Sequence, residues 1–102
     1  MANRLKLQTK LESLMGNKNV YYQPPESIKI EYPAIIYSKS KIEQKFANDS
    51  RYSSFTKYEI IVVSKKQDEP IIENLMSSFP YCSFDRHYKS DNLNHDVLTL
   101  YC

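Results

Sequence analysis

The chain has no tryptophan, one glycine (Gly16) and two cysteines, Cys82 and Cys102. A single glycine cannot build the Gly-rich loop that cradles phosphates. Two cysteines without a CxxC spacing make neither a disulfide framework nor a zinc ribbon. No apolar stretch approaches the ~20 residues of a membrane-spanning helix. The opening residues 1–5 lack the apolar core of a signal peptide. The expectation is therefore a chain that stays in the cytoplasm with its thiols reduced. Basic and acidic residues number 14 and 12 and are interspersed, so no basic block marks a nucleic-acid footprint. There is no GxSxG or HExxH, and the carboxylates are scattered rather than paired. The sequence predicts no enzyme, no catalytic residue and no cofactor.

What is present fits one domain spanning residues 1–102, with 41% hydrophobic and 25% charged residues, enough for one modest core. Nine tyrosines are the unusual feature. Tyrosine favours strands and supplies contact area at a surface with little entropy loss. Two readings share this observation: a protein-binding surface, or a thin sheet whose two faces tyrosine fills.

Leu7, Leu11, Leu14 and Met15 form one stripe of an amphipathic helix over 2–15, with Asn3 as its cap and Gly16 at its left-handed end. Residues 20–22 read as a short strand, stopped by Pro24 and Pro25. Pro33 forces Tyr32 to be extended. A long strand then runs from Ala34 to Phe46, and a second has its apolar body at 58–63. Asn48, Asp49 and Ser50 supply turn chemistry. The pair makes a long protruding hairpin with a mobile tip over 47–55. Asp68 and Pro70 mark the start of a second helix, with a stripe of Ile71, Ile72, Leu75, Met76 and Phe79 ending at Pro80. Strands at 81–88 and 95–102 close the chain. The fold class is α+β, in the order α-β-β-β-α-β-β: a mainly antiparallel sheet with two helices on one face. Its expected core includes Leu7, Leu11, Leu14, Ile60, Val62, Leu75, Phe84 and Leu98.

The closing hairpin holds both histidines. Matching apolar positions sets Phe84 opposite Leu98, Cys82 opposite Leu100 and Arg86 opposite Asp96, an ion pair at the rim. His87 then faces His95, with Asp85 beside them. Two imidazoles and a carboxylate suit zinc, and solvated or interface histidines suit the same positions. A two-residue slip placing Cys82 opposite Cys102 stays open. Lys39, Lys41, Lys45 and Arg51 suit phosphate contacts, yet Glu43 and Asp49 lie among them. A charged strand edge that resists aggregation accounts for that set more simply.

Three stretches, NVYYQPPESIKIEYPAIIYSKS (19–40), YEIIVVSKKQDEPIIENL (58–75) and CSFDRHYKSDNLNHDVLTLY (82–101), resemble a family of neck proteins of long-tailed bacteriophages. These are the tail terminator, tail completion or tail-to-head joining proteins of phages and prophages of Gram-positive bacteria. With the first helix, the resemblance covers nearly the whole chain. It implies a sheet with two helices packed on it and a structural role without catalytic residues. It further implies a ring, usually a hexamer, that caps the tail tube, ends polymerisation and meets the head connector or stopper protein. Such a protein is assembled in the host bacterial cytoplasm and resides in the virion neck. Genomic DNA passes through its ring without sequence-specific binding, and no membrane is involved. Two alternatives are another head–tail connector component, a stopper or adaptor, and a small metal-dependent enzyme using Asp85, His87 and His95. In the first reading the interaction residues are Phe46, Arg51, Tyr52 and Phe55 on the long hairpin, with His87 and His95 on the closing one.

Overall fold

The computed structural model describes residues 4–25, 27–47, 50–66 and 69–101, and the side chains of 43–47 and 50–55 lie outside that description. The elements are α1 (Arg4–Met15), β1 (Val20–Tyr22), β2 (Ala34–Ala47), β3 (Ser50–Ser64), α2 (Ile71–Ser78), β4 (Cys82–Ser90) and β5 (Leu93–Tyr101). The expected order of elements is the observed one. The strands form one sheet in the order β1-β2-β3-β5-β4. Only the β1–β2 pairing is parallel; the other three are antiparallel. Asn3 and Asp68, the two expected caps, lie outside the described residues. Pro70 holds the N-cap position of α2, one residue earlier than the first-turn place expected.

Alternation along the strands sorts side chains onto two faces. One row of cross-strand partners is Tyr22, Tyr37, Ile60, Leu98 and Phe84. The next is Val20, Ile35, Val62, Asp96 and His87. Leu7 and Leu11 of α1 and Ile71, Leu75 and Phe79 of α2 join these rows in one core. Both helices therefore cover the same face. Leu14 is only half-buried, and Phe84, expected in the core, is 43% exposed. The cause is its position: β4 is the outer strand, Phe84 faces an open cleft beside α2 rather than the core, and every residue from 83 to 90 is exposed.

Polar contacts fix the helices to the sheet. Gln8 of α1 donates to the Val20 carbonyl at 3.0 Å and accepts from the Tyr37 hydroxyl. The Arg4 guanidinium lies over the Tyr22 ring at 4.6 Å, and Tyr22 packs on Tyr37 at 4.9 Å. Lys10 donates to the Ser78 carbonyl at 2.9 Å, satisfying an orphan acceptor at the end of α2. The same ammonium sits 4.3 Å from the Phe79 ring. Gly16 adopts φ of 75° just after α1, the left-handed stop expected of it.

The long hairpin departs from expectation at its end. Residues 50–55 were expected within a loop, yet they continue the β2–β3 ladder as far as the pair Ala47 and Ser50. Two register shifts, at Ser40 in β2 and at Tyr52 in β3, cancel one another and restore the original alignment. Polar side chains do not prevent this, because the ladder is made by the backbone. Among the described residues, the outer parts of β2 and β3 pair only with each other: the β3–β5 ladder ends at Lys57 and Tyr101, and the β1–β2 ladder at Tyr22 and Tyr37.

Two outcomes test this packing. Leu11→Ala or Leu75→Ala, each removing a side chain with no exposed surface, should cost about 2–5 kcal/mol in urea melts. Overlaid melts would disprove the packing. Burial raises the Tyr37 phenol above its ordinary pKa of 10.0, opposed by Arg4. The neutral form is thus preferred in the fold, and that stability is present below pH 10 and lost as pH rises through the folded value. Tyr37→Phe should cost about 0.5–1.5 kcal/mol near neutrality and lose less stability than wild type above pH ~10.

Candidate functional site

The β4–β5 turn creates the site. Asp91 and Asn92 have φ of 52° and 63°, the two positive values of a type I′ hairpin turn. This turn pairs Ser90 with Leu93. Continued without a break, that register would set Phe84 against Thr99 and Cys82 against Tyr101, on the wrong face. The ladder instead pairs Phe84 with Leu98 and Cys82 with Leu100, with a shift between Phe84 and Arg86. Asp85 is the extra residue of a β-bulge. It reconciles a register demanded by the turn with one demanded by the apolar face.

This shift overturns the expected pairing of the polar residues. Arg86 pairs with Val97, not with Asp96. Its guanidinium instead meets the Asp85 carboxylate at 2.7 Å, with both side chains about half-exposed; such a surface pair adds little stability. His87 pairs with Asp96 and does not face His95, whose partner is Tyr88. Adjacent positions of a strand face opposite ways, so the two imidazoles lie on opposite sides of the sheet. His95 stacks on Tyr88 at 4.7 Å. Among the described residues, no group of three or more His, Cys, Asp or Glu is placed to hold a metal.

On the helical face, His87 Nδ1 meets Asp96 Oδ1 at 2.6 Å, and the Asp96 side chain is only 8% exposed. The pair borders an open cleft of ≈ 680 Å³ between the start of α2 and β4. Pro70, Ile72 and Phe84 give it an apolar wall, while Glu69 and Glu73 add carboxylates. Ser64, at the end of β3, donates to Glu69 Oε2 at 2.7 Å and accepts from the Lys66 amide at 3.1 Å. Asn94 donates to the Lys65 carbonyl at 3.5 Å. These bonds tie the segment leading into α2 to the sheet. The cleft combines an apolar wall with Glu73, the Ser64-bonded Glu69 and the His87–Asp96 pair, a mixed surface that suits an amphipathic ligand.

Of the other expected interaction residues, Phe46 and Arg51 are cross-strand partners, and Phe55 pairs with Glu43. Tyr52 is the bulged residue between them. Their side chains lie outside the described residues, so the hairpin's contacts are defined by backbone register alone. Cys82 is a half-buried free thiol, and burial raises its pKa, the reverse of an activated nucleophile. Cys82 pairs with Leu100 rather than with Cys102, which itself lies outside the described residues. No helix among the described residues is long and apolar enough to cross a membrane.

Sequence reasoning missed Glu69, Glu73 and Asp96 as neighbours. The signal that would have joined Asp96 to His87 was the Asp91-Asn92 pair, whose turn type sets the local register. Neither a protein-family model nor a curated protein matches the chain.

His87→Ala would strip the nearly buried Asp96 carboxylate of its imidazole partner. The expected cost in a urea melt at neutral pH is about 1–3 kcal/mol. An unchanged midpoint would mean that Asp96 does not depend on His87.

Proposed function

We propose that this protein is a structural component of a bacteriophage neck. In this reading it assembles with itself as a ring, usually a hexamer, on the end of the tail tube, halts tube growth and presents a surface to the head connector. The reading starts from the resemblance of 19–40, 58–75 and 82–101 to the tail terminator family. The observation that supports it best is the outer part of the β2–β3 hairpin, which pairs with no other described strand. A lone two-stranded ribbon is marginal in water, and a neighbouring subunit or tube end would stabilise it.

The reading also assigns roles to individual residues. Phe46, Tyr52 and Phe55 act as aromatic anchors of the ribbon, in the manner of hot spots at protein interfaces. Arg51 adds charge beside them. His87 and His95, on opposite faces, serve different surfaces rather than one site. The metal-dependent alternative required Asp85, His87 and His95 together, and the observed pairing of His87 with Asp96 removes that arrangement. Under this reading the protein resides at the head–tail interface of the virion, and the genome passes through its ring as a charged polymer without base-specific contacts.

The triple substitution of Phe46, Tyr52 and Phe55 by Ser tests the reading. Melts of the isolated chain should move little, while phage carrying the variant should fail to cap tails. Infectious particles with tails of normal length would remove the hairpin from assembly. A block in head joining on capped, correctly sized tails would instead assign the chain to the stopper or adaptor class.

A further inference from the structure

We draw no further inference here: the strongest candidate, the open cleft between the start of α2 and β4 where Phe84 stays exposed beside the half-buried Ile72, carries none because nothing in the structure shows what covers it.

Discussion

Burial of β3 is the constraint on which the rest of the structure depends. It is the middle strand, with β2 on one side and β5 on the other, and Ile60 and Val62 have no exposed surface. Both helices pack on the face that these residues share. Neither helix is long: α2 runs only over Ile71–Ser78, too short to persist alone in water. Its stability comes from Ile71, Leu75 and Phe79 docking on the sheet, helped by Lys10 at its carboxyl end. The edge strand β1 is three residues long and is held through Gln8, Arg4 and the tyrosine pair. Removing Ile60 and Val62 would take the central strand's side chains out of the core that both helices share.

A second constraint operates at the other edge. The turn at Asp91 and Asn92 asks for one register, and the apolar residues of β4 and β5 ask for another. The bulge at Asp85 lets both be met. Its consequence is chemical as well as geometric, because it turns His87 toward Asp96 and separates it from His95. The cleft lined by Phe84, His87, Asp96 and the start of α2 is a product of that one-residue accommodation. The bulge also interrupts an otherwise long exposed edge, a feature that discourages edge-to-edge aggregation.

The molecule is polar along its strands. One end carries a two-stranded ribbon rich in lysine and arginine, and the other carries a cleft with three carboxylates. Elsewhere basic and acidic residues are interspersed, as in the Asp85–Arg86 pair at 2.7 Å. The proposed neck role draws on the ribbon, whose outer part pairs with no other described strand.

The sequence by itself determined the succession of elements. Leucine spacing in α1, the lone glycine after it, the prolines flanking the β1–β2 connection and the apolar body at 58–63 are local signals, and local propensity is enough to read them. It also determined the pairings of Phe84 with Leu98 and Cys82 with Leu100, because burial of one face penalises a one-residue slip. Tertiary structure alone decided that β1 joins β2 in parallel, since a strand of three residues carries no signal of its partner's direction. It decided that Phe84 stays in water, because an apolar residue cannot announce that its strand is the outer one and borders an open cleft. It decided that Asp96 belongs with His87 and the two glutamates. That grouping joins β4, β5 and α2 through a bulge arising from two competing registers, a balance fixed only when the whole sheet is assembled.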